Sequence, residues 1–207
     1  MEHGVRLFAA NGFRETTVGE IEAAAGLEPR RGALYRHFPS KEALLEAALE
    51  AHLEGMANTD LDLRQLDRIE PRDAALALGR WLLVELDREH AIVRILEQDG
   101  DRLPALRDRF REQLVDPGYA ITTALLRLSG TEATAVHVDS LAGILLGGLV
   151  NYRRSTWTFG RPPADLDEER FLSTWATLCV SAIDALDHSR SRQPATTTQR
   201  RTRRTTT

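Results

Sequence analysis

The sequence predicts an all-α protein made of a short N-terminal helical unit and a larger helical unit behind it. Three observations predict it. Alanine and leucine are abundant, aromatic residues are only 6% of the chain and β-branched runs are short, which favours helix over strand. Apolar residues recur at helical rather than alternating spacing. The first 45 residues are crowded with helix start and stop signals, the mark of short helices joined by tight turns. With 207 residues and 42% apolar content, the chain can also bury a sizeable core.

In chain order, a first helix carrying Leu7 and Phe8 begins almost at Met1. Thr17-Val18-Gly19-Glu20 then reads as a capping box: the Thr oxygen accepts from the amide three residues on, and the Glu reaches back. It opens a short helix with Ile21, Ala24 and Ala25 on one face. Gly26 stands where a helix end takes a left-handed residue, and Leu27 follows as its apolar contact. Pro29 opens the next predicted helix, which runs through Arg30, Arg31, Gly32, Ala33, Leu34, Tyr35, Arg36, His37 and Phe38. Leu34 and Phe38 lie one turn apart and share its inward face.

Arg30 and Arg31 are out of place for stability. Cations in a first turn oppose the helix macrodipole, at a cost of roughly 0.3–1 kcal/mol each. An approaching polyanion reverses that argument, and nucleic-acid phosphates are the obvious one. Lys41, the one lysine of the chain, follows the N-cap Ser40 in the first turn of another helix, where an ammonium beside free amides suits a phosphate. The net charge of −4 excludes global attraction to nucleic acid, so binding would use the local patch at residues 30–41.

The stretch VRLFAANGFRETTVGEIEAAAGLEPRRGALYRHFPSKEALLE, residues 5–46, resembles the N-terminal domain of the TetR family of bacterial transcriptional regulators. The resemblance is carried by Leu7-Phe8, Gly12-Phe13, Thr16-Thr17-Val18, Ile21, Ala25-Gly26, Gly32, Leu34-Tyr35, His37-Phe38, Ser40-Lys41-Glu42 and Leu44-Leu45. It implies a three-helix helix-turn-helix DNA-binding domain over residues 1–45, a helical effector-binding and dimerisation domain over 46–188, and a tail over 189–207. It further implies that Leu7, Phe8, Ile21, Leu34, Phe38 and Leu44 form the small core. Arg31, Ala33 and Arg36 would face base edges, with Arg30 beside them. Gly32 would permit close backbone approach, and Thr17, Tyr35, His37 and Lys41 would meet phosphates. Two departures stand out. Glu28-Pro29-Arg30-Arg31 makes the turn about two residues longer than the common family turn, leaving the aim of Arg30 open. The first helix lacks the extra turn and basic arm usual in the family, so either the start is late or the domain is less stable than most.

Beyond this segment, Ser40 to about Asn58 reads as one amphipathic helix bearing Leu44, Leu45, Ala48, Leu49 and Leu53. Pro71 marks a start for a helix over Ala74–His90, followed by patterns at Ile92–Glu97, Leu103–Leu128, Thr131–Tyr152 and Asp165–Asp187. Pro117 is expected to bend or break the third. Glu85, Arg88 and Glu89 read as a solvated helix face. Glycine within a helix costs up to about 1 kcal/mol against alanine. Ala142, Gly143, Gly147 and Gly148 therefore point to close approach by another helix, in a four-helix dimer interface or by internal packing within one subunit. The stretch from Asn151 through Phe171 and Trp175 resembles a C-terminal pattern of some TetR-family members, which implies the dimer.

The family resemblance implies a pocket for a small-molecule effector. Its candidate lining is Trp81, Leu82, Leu96, Phe110, Tyr119, Leu145, Trp157 and Phe159, which suits an apolar or aromatic ligand. Cys179 excludes an internal disulfide, reads as a small buried residue and fits a reducing cytoplasm. No signal peptide is legible, and the apolar run Leu141–Val150 is too short to span a bilayer. The Arg- and Thr-rich tail has too little apolar surface for a core and is expected to be disordered. Asp87-Arg88-Glu89-His90 offers a single acid–His pair without the inward-facing partners of a helical metalloenzyme, so neither catalysis, a metal nor a cofactor is expected. The expectation is a homodimeric repressor reading a palindrome in double-stranded DNA and released by its effector, not bound to a membrane. The alternative is a helical small-molecule-binding protein with weak or lost DNA binding.

Overall fold

The computed structural model describes residues 1–28, 32–57, 68–128 and 135–190. Among these the chain is helical and holds no strand. The helices are α1 (Glu2–Asn11), α2 (Val18–Ala24), α3 (Lys41–Ala57), α4 (Pro71–Asp99), α5 (Pro104–Phe110), α6 (Asp116–Leu126), α7 (Ala135–Phe159) and α8 (Glu168–Arg190). A 3-10 turn at Leu34–Arg36 stands between α2 and α3.

α4 is longer than its two expected segments. Its 29 residues run unbroken because nothing between His90 and Ile92 interrupts a helix, and it spans roughly 40 Å. The expected break at Pro117 is displaced toward the N-terminus. The chain widens into a π-helical stretch at Arg111–Val115, and Pro117 follows in the first turn of α6 without ending the helical run. α8 extends through Arg190, two residues into the expected tail, whose remainder lies outside the described residues.

Two hydrophobic cores sit at opposite ends of α4. The upper one gathers Ala74, Leu78 and Leu83 of α4, Leu125 and Leu126 of α6, Leu145, Leu149 and Tyr152 of α7, and Leu172, Trp175 and Cys179 of α8. Here α8 lies tight against α4: a Cβ on Gly79 would stand 2.9 Å from Leu172 and 3.2 Å from Trp175, contacts only glycine avoids. The Trp175 indole N–H donates to the Leu145 carbonyl at 2.8 Å, so its one polar atom is satisfied inside the core.

The lower core joins Phe8, Phe13, Ile21, Leu34, Leu44, Leu45 and Leu49 from the N-terminal segment to Ile92 and Ile95 of α4, Leu103, Leu106, Phe110 and Leu114. The expected division after residue 45 therefore does not separate the cores. The short unit is completed by the far end of α4 and the helix that follows it. Phe8 and Leu44 are fully buried here, while Leu7 and Phe38 pack half-buried at the margin.

Candidate nucleic-acid interface

The local chemistry of the N-terminal segment builds a framework under one exposed turn. Thr17 caps α2 as a complete capping box: its Oγ1 accepts the Glu20 amide at 3.3 Å, and Glu20 Oε2 accepts the Thr17 amide at 2.6 Å. Those bonds from the Thr17 backbone and hydroxyl hold the Glu20 carboxyl below the usual carboxylate range. α2 ends in a Schellman arrangement, with Gly26 at φ 71, the Leu27 amide on the Glu22 carbonyl at 2.8 Å and the Gly26 amide on the Ala23 carbonyl at 3.1 Å.

Glu22 is fully buried, and its Oε1 accepts the Leu34 amide at 3.1 Å. The Glu22 carboxyl thus pins the start of the 34–37 turn to α2. Sequence reasoning passed over this residue. The signal was there: Val18 and Glu22 fall at helical spacing with Ile21, which puts a charge on the inward face, whereas Ala24 and Ala25, expected beside Ile21, are exposed. The turn closes with the Leu34 carbonyl accepting the His37 and Phe38 amides at 3.0 and 2.9 Å. Leu34 points inward, while Tyr35, Arg36 and His37 are exposed side by side.

Three expectations for this segment need correction. The predicted helix from Pro29 to Phe38 is not continuous, because Gly32 takes φ 67, outside the right-handed helical region, and the described part is one 3-10 turn. Pro29, Arg30 and Arg31 lie outside the described residues. Ala33, expected to face base edges, is 9% exposed and packs beneath the turn.

Lys41, expected at a phosphate, is turned inward. Its Nζ donates to the carbonyls of Phe13 at 2.7 Å, Thr16 at 3.0 Å and Arg14 at 3.4 Å, and sits 4.6 Å from the centre of the Phe13 ring. An ammonium has three N–H donors, and these carbonyls take all of them. Lys41 therefore fastens the α1–α2 turn to α3. Ser40 does cap α3 as expected, with its Oγ accepting the Ala43 amide at 3.1 Å.

The eight residues expected to line one pocket do not converge. Leu82 and Leu145 are buried in the upper core, Phe110 lies in the lower core with Leu96 packed against it, and Tyr119 and Phe159 face solvent at different places. Trp81 is half-buried against the upper core. Trp157 alone of the eight lines a groove of about 330 Å³ between α4 and α7, with His90, Val93, Arg94, Glu97, Val150 and Arg154. There its ring stacks on His90 with centres 4.2 Å apart, and its indole N–H donates to Asp87 at 3.1 Å. Burial pushes the His90 imidazole below its usual range, reinforced by Arg94.

The expected dimer residues are also mostly internal. Ala142 and Trp175 belong to the upper core, Phe171 stacks on Tyr152 at 4.3 Å, and a Cβ on Gly143 would meet Tyr119 at 3.6 Å. Of that set Gly147 faces open space, near the exposed Ile144. Glu85 is not on a solvated face: its side chain is buried, bonded to Arg88 Nη1 at 2.7 Å and 4.0 Å from His52 of α3. Among the described residues no helix is long and apolar enough to cross a membrane.

Residues 1–48 match the sequence model of the bacterial regulatory proteins of the tetR family. Over 63 residues the chain is 44% identical to an uncharacterized HTH-type transcriptional regulator of Bacillus subtilis, YerO, covering 28% of this chain and 21% of that protein. Over 104 residues it is 32% identical to the HTH-type transcriptional repressor KstR2 of Rhodococcus jostii, covering 50% of this chain and 49% of that one. The chain thus spans about half or less of the length of these relatives. The crystal structure of a TerR/AcrR-family transcriptional regulator from Aquifex aeolicus superposes with TM-score 0.52 at 22% identity, covering 91% of this chain and 95% of that one. That likeness extends the shared fold across both helical units.

Proposed function

The N-terminal 48 residues belong to the TetR family of bacterial regulatory proteins, and from that premise we propose that the protein is a DNA-binding transcriptional repressor released by a small molecule. The observation that carries the reading is the exposed row Tyr35, Arg36 and His37 on a turn whose base is fixed by buried Glu22 and Leu34. A rigid, cation-bearing protrusion of this kind suits the major groove. Arg36 is the base-reading residue. Tyr35 and His37 meet phosphates, and Arg30 and Arg31 add cations N-terminal to the turn; Thr17, expected at a phosphate, gives both its amide and its hydroxyl to Glu20.

The protein acts as a homodimer, so that two reading turns meet successive major grooves about 34–36 Å apart. The exposed apolar residues Ile144 of α7 and Leu178 of α8, 71% and 56% exposed, with open Gly147 between turns, support α7 and α8 as the pairing helices. The groove holding the His90–Trp157 stack is the seat for the effector. Its size suits a small ligand, and its mix of aromatic, aliphatic and arginine lining suits a planar one with a polar end. Such a ligand shifts the DNA-binding equilibrium by its differential affinity for the two conformers.

The test is selection of duplexes from a random library, followed by binding titrations across salt concentration. Arg36→Ala is expected to cost about 1–3 kcal/mol on the selected duplex and to relax its sequence preference. Arg36→Ala binding with unchanged affinity and preference would remove the base-reading assignment. Recovery of no duplex from the library would favour the helical small-molecule-binding alternative, for which the shortness of the reading turn is the supporting observation.

A further inference from the structure

We propose that Asp99, the last residue of α4, is a positioning residue: through Phe13 it lets the larger helical unit set the aim of the reading turn. This rests on the DNA-reading assignment of Tyr35, Arg36 and His37. Asp99 is 8% exposed, and its Oδ2 accepts the Phe13 amide at 2.9 Å across 86 positions of sequence. Its other oxygen, Oδ1, accepts from Arg102 Nη1 at 3.3 Å, which holds the carboxylate in place. Gly12 shapes the turn that presents the Phe13 amide: it takes φ 90, which favours glycine, while a Cβ there would make only an ordinary 3.7 Å contact with Asp99 Oδ2.

Phe13 is thereby gripped from two directions. Its amide is bound to the end of α4, and its carbonyl accepts from Lys41 of α3 at 2.7 Å. The ties continue toward the reading turn. Lys41 also donates to the Thr16 carbonyl at 3.0 Å, and the Thr16 hydroxyl donates to the Gly12 carbonyl at 2.8 Å. Thr17 caps α2, and Glu22 on α2 holds the Leu34 amide at 3.1 Å. From Asp99 to Leu34 each link is a hydrogen bond, a turn or a helix, and neither end of α2 is left loose. A shift of α4 along its axis is therefore transmitted to the base of the reading turn. Deleting the Asp99 carboxylate strands a buried amide and frees the turn at Phe13.

The sign of the effect separates positioning from charge. Removing an acid near a polyanion strengthens binding on electrostatic grounds alone. The expected effect of Asp99→Ala is the opposite. The probe is a duplex enriched from a random library by the wild-type protein, with affinity read by fluorescence anisotropy at a temperature where circular dichroism shows each variant fully helical. Asp99→Ala is expected to lose about tenfold in affinity or more, roughly the upper range for residues that couple sites without touching ligand, with an unchanged salt slope. Hydrogen exchange at the Phe13 amide is expected to quicken. Asp99→Asn, whose amide oxygen still accepts the Phe13 N–H, is expected to stay within about threefold of wild type.

Wild-type affinity in Asp99→Ala overturns the proposal, and so does an Asp99→Asn loss as large as that of alanine. If Asp99→Ala does not fold, Asp99→Ser takes its place, with a side chain too short to reach Phe13 and the same expected loss. Failure of the wild-type protein to enrich any duplex is a separate outcome: it removes the DNA-reading assignment, and this proposal with it, before any variant is made.

Discussion

The two cores differ in kind. The upper core is mostly aliphatic and aromatic packing of long helices; Trp175 sends its N–H to a backbone carbonyl, buried Thr122 donates to the Gly118 carbonyl of its own helix, and buried Glu85 lies at the margin. The lower core is assembled from short pieces and threaded with buried polar groups: Thr16, Glu22 and Asp99, with Lys41 half-buried beside them. Apolar packing supplies stability but tolerates small slides, because dispersion and burial are weakly directional. Hydrogen-bonded buried groups contribute less net energy and fix geometry, since each misplaced partner leaves a desolvated donor or acceptor. The end of the molecule assigned to reading is thus the geometrically specified one, and the bulk above it is the pliable one.

The sharpest way to break this comparison is to hollow each core in turn. Phe8→Ala and Leu126→Ala both empty fully buried positions, at an expected cost of about 3–5 and 2–5 kcal/mol respectively. If the cores respond separately, Phe8→Ala lowers the denaturation midpoint of the lower unit and leaves the upper transition in place. Coincident shifts in exchange protection across both units would show a single cooperative body instead.

Lys41→Ala comes next. Loss of an ammonium bonded to three carbonyls is expected to destabilise the lower unit by about 2–3 kcal/mol, the range for hydrogen bonds to charged groups. Lys41→Arg is not expected to rescue it, because a planar fork cannot gather three carbonyls around one point. Thermal melts settle the matter: an unchanged melting temperature would return Lys41 to the phosphate role that its sequence position suggests.

Glu20 has a smaller and pH-dependent effect. Its carboxyl is depressed by the Thr17 amide and hydroxyl, so the charged form supports the fold above the ordinary carboxylate range. That support is lost as pH falls from the ordinary carboxylate range through the depressed value. Glu20→Gln is expected to flatten that part of the acid titration of stability. A titration identical to wild type would show that the capping box carries no linkage.

The last test leaves stability untouched. Burial pushes the Cys179 thiol up to about 12, so a thiol-specific reagent at neutral pH is expected to label it only when the upper core opens. Prompt labelling in native buffer would mean that the upper core is looser than its packing implies.

Much of this was legible in the sequence, and the residues show why. The capping box at Thr17, the left-handed Gly26 with its Leu27 contact, the Ser40 cap and the inward Leu34 are local features, decided within a few residues. The misread positions depend on distant chain. Lys41 suggests a phosphate contact because its carbonyl partners lie 25 to 28 residues away, and Asp99 gives no local signal, with its partner 86 positions away. Ala142 and Trp175 carry the composition of an interface helix, yet small and aromatic residues serve internal helix packing equally well. Only the fold decides between them. The pocket failed for the same reason: helical spacing tells which residues point inward, not which inward faces leave a space.

The indole side chains have an optical consequence. Trp81 and Trp175 belong to the upper core, Trp157 sits in the groove beside His90 and Val93, and residues 1–48 contain no tryptophan. Intrinsic indole emission therefore has no reporter within the reading end. A melt followed at that wavelength reports the surroundings of α4, α7 and α8 directly, and those of the exposed turn at 34–37 only through α4. A tyrosine at 35 is the native chromophore on the other side, so far-ultraviolet dichroism or a label placed there is needed to watch the reading end.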